Sequence, residues 1–269
     1  MTRTTRVRHG WTTVDGLRLH HLEFGNGGHP VVCLHGVTGN AWAWHDVGRG
    51  LAGNRVLALD LRGHGDSQWS ASGAYTSEDH RGDLEARLDA LGERRVDLVG
   101  SSWGALVTIA FAARVPDRVR RLAIVDIEAS FDQGETDLLP RPHGYADQGE
   151  AVAFERRNNP HGPEELVDLV AAGATRPGPE GGLLPKHDPY FFERWPFRSD
   201  DVWDRLGAIS CPTLLVHAEA SFVRCEVMER MAAAIAGSRL VHLPDTTHVV
   251  PEDNPSGLLE HLVPFLTKE

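Results

Sequence analysis

The chain is poor in cysteine, and the three it has, Cys33, Cys211 and Cys225, are scattered over 269 residues. An odd, widely spaced set does not make a disulfide framework. With no Cys-x-x-Cys pair, a structural zinc site has no support, and no metal is expected. Long apolar runs are lacking as well. The N-terminal region has no apolar h-region, and no stretch approaches the roughly 18 apolar residues of a membrane span. These absences point to a soluble protein of a reducing, cytoplasmic compartment without membrane contact. Basic side chains are outnumbered, 27 Lys and Arg against 38 Asp and Glu, for a formal net charge of −11. A surface this acidic repels phosphate backbones, so no nucleic-acid partner is expected. Arg3, Arg6 and Arg8 read as a solvated lead-in to the first strand. No internal repeat is visible. Gly25-Asn26-Gly27-Gly28 is neither a P-loop nor a dinucleotide fingerprint, so no cofactor is expected. Composition leaves a monomer and a homodimer open.

What is present is a core-building composition, 41% hydrophobic, in which short apolar runs alternate with amphipathic segments. Asp15-Gly16 between two extended runs is a hairpin signal. Val31–Leu34, Arg55–Asp60, Val96–Val99, Leu122–Val125, Leu214–Val216 and Arg239–Leu243 read as buried strands. Ser77–Leu91, Trp103–Arg114, Val223–Ala236 and Ser256–Thr267 read as helices, with Ser77 and Asp79 as caps of the first. This alternation predicts an α/β fold with a mostly parallel sheet and helices on both faces. The rhythm fails from Ile127 to Asp201, a stretch rich in Pro, Gly, His and aromatics. Pro140-Arg141-Pro142-His143-Gly144-Tyr145 and Tyr190 to Phe197 are examples. A long irregular segment of this kind reads as a lid.

Gly100-Ser101-Ser102-Trp103-Gly104 matches Gly-x-Ser-x-Gly between a strand and a helix, the setting this turn requires. Glycine on each side relieves the crowding of a strained backbone, and the helix N-terminus favours negative charge nearby. Ser101 would need glycine where Val99 and Trp103 stand, so Ser102 is the candidate nucleophile.

With this elbow, His35-Gly36 after a strand, Leu61-Arg62-Gly63-His64-Gly65-Asp66-Ser67 and Val115-Pro116-Asp117-Arg118-Val119, the chain resembles the α/β-hydrolase superfamily almost end to end. The resemblance implies an eight-stranded, mostly parallel sheet. It implies a core of residues 1–126 and 205–269, and a mainly helical cap inserted at 127–204. It also implies the order Ser, acid, His, and so His248 as general base after the last strand. His242, within that strand, reads as structural. Most relatives carry the acid after the strand that follows the cap, where this chain has Ser221. A subset carries it after the strand following the elbow helix, and Asp126 stands there. Glu219 is the second choice and Glu128 the third. The backbone N–H groups of Val37 and Trp103 are the expected oxyanion hole. His35 and His64 are expected to brace their loops. Dehalogenases and epoxide hydrolases of the family use an aspartate nucleophile, and this elbow holds serine.

The expected reaction is hydrolysis of an ester, lactone, thioester or C–C bond of a small carbonyl compound through an acyl-enzyme. Trp103, Phe191, Phe192, Trp195 and Trp203, with Phe197, Trp42 and Trp44, suggest an apolar or aromatic substrate; the alternative is that they form the cap's own core. A cofactor-free perhydrolase, lyase or cyclase, or a non-catalytic receptor on the same scaffold, are the competing readings.

Overall fold

The computed structural model describes residues 6–130 and 141–267. Arg3, Pro140 and the cap stretch 131–140 lie outside them. The opening hairpin is β1 (Arg8–Val14) and β2 (Leu17–Phe24), turned at Asp15 and Gly16, both at positive φ. Then come β3 (Pro30–Leu34), α1 (His45–Gly50), β4 (Arg55–Leu59), α2 (Ser77–Ala90), β5 (Val96–Ser101), α3 (Trp103–Arg114) and β6 (Val119–Val125). After β6 the chain builds α4 (Gln148–Asn158), α5 (Glu164–Ala174), a hairpin of β7 (Thr175–Pro177) and β8 (Leu183–Pro185), and α6 (Trp203–Leu206). It returns through β9 (Thr213–Ala218), α7 (Cys225–Ala234), β10 (Ser238–Leu243), α8 (Val250–Asp253) and α9 (Pro255–Thr267). The insertion between β6 and β9 therefore carries a small hairpin as well as helices.

The main sheet has eight strands in the order β1-β2-β4-β3-β5-β6-β9-β10. The pairs β1–β2 and β2–β4 are antiparallel, and the others are parallel. Side chains of one strand alternate between two cores, as the two-residue repeat demands. Val32, Leu34, Leu57, Leu59 and Leu98 pack toward α2, α3 and α7. Val31, Cys33, Val56, Ala58 and Val99 pack toward α1 and α9. Strands buried on both faces need apolar residues throughout, which is why they read as continuous runs.

One local expectation is corrected. The cap of α2 is Thr76, whose side chain accepts from Asp79 N–H while Asp79 accepts from the Thr76 N–H. Ser77 is turned inward instead. Its hydroxyl accepts from Trp103 Nε1 at 2.7 Å and donates to Asp200 of the insertion.

Candidate active site

Ser102 sits between β5 and α3 with φ 52° and ψ −126°, a conformation that side chains rarely adopt. The flanking glycines have a steric reason. A Cβ on Gly100 would lie 2.5 Å from Ala105 Cα, and one on Gly104 would lie 2.4 Å from the Leu34 carbonyl. The elbow thus forces helix, strand and neighbouring loop to touch through backbone alone.

His248 lies in the loop after β10. Its Nε2 is 2.8 Å from Ser102 Oγ, and its Nδ1 is 2.7 Å from Asp126 Oδ2. A carboxylate only accepts, so Nδ1 carries the proton and Nε2 is free to accept from the serine hydroxyl. The Phe222 ring lies against the imidazole, with centroids 4.3 Å apart.

Asp126 follows β6 directly, is fully buried, and has φ 47°. Burying a carboxylate is costly unless it is hydrogen-bonded. Here Ala218 N–H donates to Oδ1 at 2.9 Å, and the Ser221 hydroxyl donates to Oδ2 at 2.5 Å. Both donors come from the end of β9 and its following loop, the place where most relatives of the resembling family carry the acid. Ser221 Oγ is itself 3.5 Å from His248 Nδ1. The other two carboxylates are placed elsewhere. Glu219 is exposed, with its backbone N–H on the Leu243 carbonyl. Glu128 binds Arg224 through both carboxylate oxygens, at 2.9 and 2.7 Å.

The loop after β3 closes the other side. A Cβ on Gly36 would meet Ser102 Oγ at 3.3 Å, and Val37 borders the cavity above it. Trp103 opens α3, so its N–H belongs to the first-turn donors that have no acceptor within the helix. His35 accepts from Leu61 N–H at Nε2 and faces the Gly36 carbonyl at Nδ1, 2.6 Å away. Burial holds it below the ordinary imidazole range. His64 bonds the Arg62 carbonyl at 2.9 Å and is held well below that range, chiefly by burial. Both are neutral braces of their loops.

A family model described as the α/β hydrolase fold matches residues 29–173. The chain belongs to the α/β-hydrolase family. An esterase of Mycobacterium tuberculosis is 30% identical over 253 residues, covering 89% of this chain and 83% of its own. A 2-hydroxy-6-oxo-2,4-heptadienoate hydrolase of Pseudomonas putida is 30% identical over 266 residues, covering 93% and 92%. The crystal structure of a hypothetical protein from Pseudomonas aeruginosa superposes with a TM-score of 0.83 at 28% identity, covering 97% of this chain and 99% of that one. The chain is an enzyme of the α/β-hydrolase class. Among the described residues, no helix is long and apolar enough to cross a membrane.

The lining of this α/β hydrolase's cavity departs from the expectation of an aromatic wall. Of the five cap and elbow residues expected to bind substrate, only Trp195 borders it. Trp103 and Phe191 are buried in the main core, together with Phe197, and Trp203 packs against its edge. Phe191 packs against His64 and Tyr75 with tilted rings, centroids at 4.5 and 4.8 Å. Phe192 instead meets His143 and His187, at 4.1 and 5.0 Å. Trp42 lies among His9 and His45. Trp44 does border the cavity. The aromatic segment forms tight turns at Pro189–Phe192 and Pro196–Ser199, which put the Phe191 and Phe197 rings into the core. Phe191→Ala is therefore expected to cost about 3–5 kcal/mol of stability, as a core truncation, with KM little changed. Urea unfolding beside steady-state kinetics checks this.

The residues that do line the cavity include Phe154, Glu155 and Asn158 of α4, with Arg141, Asn159 and Glu252. Sequence reasoning missed them. The available signal was the spacing of Ala151, Phe154 and Glu155 on one buried helix face. Arg141 Nη1 donates to Glu155 at 2.5 Å, and its Nε donates to Thr38 Oγ1 at 2.8 Å. Thr38 in turn donates to the Val37 carbonyl at 2.7 Å, so the insertion holds the loop beside Ser102 in place.

Proposed function

We propose that this enzyme hydrolyses a small carbonyl compound through an acyl-enzyme on Ser102, with His248 as base and Asp126 as the acid that orients it. The observation that carries this reading is the continuous chain from Ser102 Oγ to His248 Nε2 and from Nδ1 to Asp126, at 2.8 and 2.7 Å. A free serine hydroxyl is a weak nucleophile and needs such a base. As Oγ attacks, Nε2 takes its proton, and Asp126 stabilises the imidazolium. The N–H groups of Val37 and Trp103 receive the negative charge on the former carbonyl oxygen. The imidazolium then protonates the leaving group, and water, activated by the same imidazole, releases the acid. The bond broken belongs to an ester, lactone, thioester or activated diketone, consistent with relatives named as an esterase and a dienoate hydrolase.

The substrate in this reading carries a polar group beside its apolar part. Trp44, Phe154 and Trp195 offer apolar contact, while Arg141, Asn158, Asn159 and Glu252 offer hydrogen bonds. The Trp44 indole N–H is buried without a partner among the described residues. Burial, with the charge of Glu155 added, pushes the Glu252 carboxyl up to about 8. Its carboxyl, which borders the cavity, is thereby biased toward the protonated form. The linkage has a definite sign. From the ordinary carboxyl value of 4.5 up to about 8, the folded chain holds a proton that the unfolded chain has lost. Stability should fall as pH rises through that window. Glu252→Gln should flatten this fall in Tm, and equal slopes in the two proteins would refute the neutral carboxyl.

The enzyme reading is tested with a fluorophosphonate probe, which should label Ser102 by peptide mass spectrometry. An unlabelled Ser102 in folded protein would favour a silent binder. A panel of short-chain p-nitrophenyl and thiol esters, with and without polar acyl groups, then ranks the substrate class.

A further inference from the structure

A second group of chemistry-bearing side chains stands apart from the serine cavity. His217 on β9 and His242 on β10 are register partners in adjacent parallel strands, so their side chains share one face. Cys225 opens α7 beside them. The two Nδ1 atoms are 3.2 Å apart, and Cys225 Sγ is 4.0 Å from His242 Nδ1. All three donor atoms lie within 4.8 Å of one another. A tetrahedral zinc ion, with the usual Zn–N and Zn–S bond lengths, needs about 3.3 Å between nitrogens and about 3.6 Å between nitrogen and sulfur. The Nδ1–Nδ1 distance and the Cys225 Sγ to His242 Nδ1 distance are within a few tenths of an ångström of that spacing, and His217 Nδ1 and Cys225 Sγ lie within 4.8 Å of each other.

An independent feature sets the direction of one donor. His217 Nε2 is 3.0 Å from the Val223 carbonyl. The carbonyl only accepts, so Nε2 carries the proton and Nδ1 presents its lone pair toward His242 and Cys225. Ligating imidazoles are commonly held by this outer hydrogen bond. The field is also of the right sign. Glu229, Glu226 and Glu219 all act on the Cys225 thiol, and Glu229 Oε1 is 3.9 Å from its sulfur.

We propose that His217, His242 and Cys225 bind a divalent cation of the zinc class, with Glu229 or water completing the shell. Binding releases the thiol proton, shifts the His242 ring proton from Nδ1 to Nε2 so that both imidazoles stay neutral, and forms one metal–sulfur and two metal–nitrogen bonds. The site is independent of the hydrolase reading, but it has a structural consequence for that region. His217 and Cys225 bracket the loop that carries Ser221 and Phe222, which touch Asp126 and His248. A bound ion ties the two ends of that loop together.

The test uses the accessibility of the thiols. Cys33 and Cys211 are buried, and Cys225 is partly exposed, so a native-state thiol titration reports Cys225. One equivalent of zinc chloride added to the full chain should slow its reaction with a disulfide reagent by about tenfold or more, and should raise Tm. His242 is exposed on β10, so His242→Ala keeps the fold and should remove the protection. Cys225→Ser should lose the tight equivalent of zinc in calorimetry. A reaction rate unchanged by zinc, protection surviving in His242→Ala, or undiminished binding in Cys225→Ser would each overturn the site. Ser102→Ala should bind zinc like the unaltered chain, which separates this outcome from the fate of the serine chemistry.

Discussion

Ser102→Ala is expected to lower kcat/KM by about 10⁴–10⁶-fold, the range seen when a serine nucleophile is removed from an intact triad. The fold should survive. Alanine occupies less space than serine, and the unusual backbone at φ 52° is imposed by the contacts of Gly100 and Gly104, which remain. Substrate affinity should also survive, because the side chains that offer apolar contact and hydrogen bonds, among them Trp44, Phe154, Arg141, Asn159 and Glu252, are untouched. A variant with normal Tm and normal ligand binding but no labelling or turnover is the expected pattern. Turnover equal to the unaltered enzyme would end the serine mechanism.

The second large effect concerns the acid. Asp126→Asn should lower kcat by roughly 10⁴-fold, while Glu219→Gln and Glu128→Gln should leave it close to normal. Asparagine tolerates the positive φ of 47° at this position, so the loss is chemical and not steric. An amide N–H facing Nδ1 moves the imidazole proton to Nε2, which then cannot accept from Ser102. Ser221→Asp in the Asp126→Asn background offers a sharper check. Ser221 Oγ is 3.5 Å from His248 Nδ1, so a carboxylate at 221 can take over the bond and should recover part of the lost activity. A larger loss in Glu219→Gln than in Asp126→Asn would move the acid to the end of β9.

The elements were legible because their signals are local. Apolar runs such as Val31–Leu34 and Leu122–Val125 could not be surface strands, and the elbow glycines are tied to one turn. The cap was harder to read. Its aromatic segment Tyr190–Phe197 announces burial but not direction, and the tight turns at Pro189 and Pro196 aim Phe191 and Phe197 at Tyr75 and Trp103, leaving only Trp195 of the segment at the cavity. Arg141 and Glu252 carried no motif. Their meaning comes from Glu155 and Asn159, which fold against them from α4 and its end.

The sequence by itself determined the α/β alternation, the strained serine turn and the family, since each depends on residues within a few positions of one another. Only the tertiary structure decided which carboxylate meets His248, at a separation of 122 residues, and where the cavity finds its polar lining. It also brought Cys225 to two histidines in paired strands, although the spacing of the cysteines had given no sign of a metal site. Strand register and the path of the insertion set these meetings. Both are consequences of how buried faces pack, and short-range patterns do not encode them.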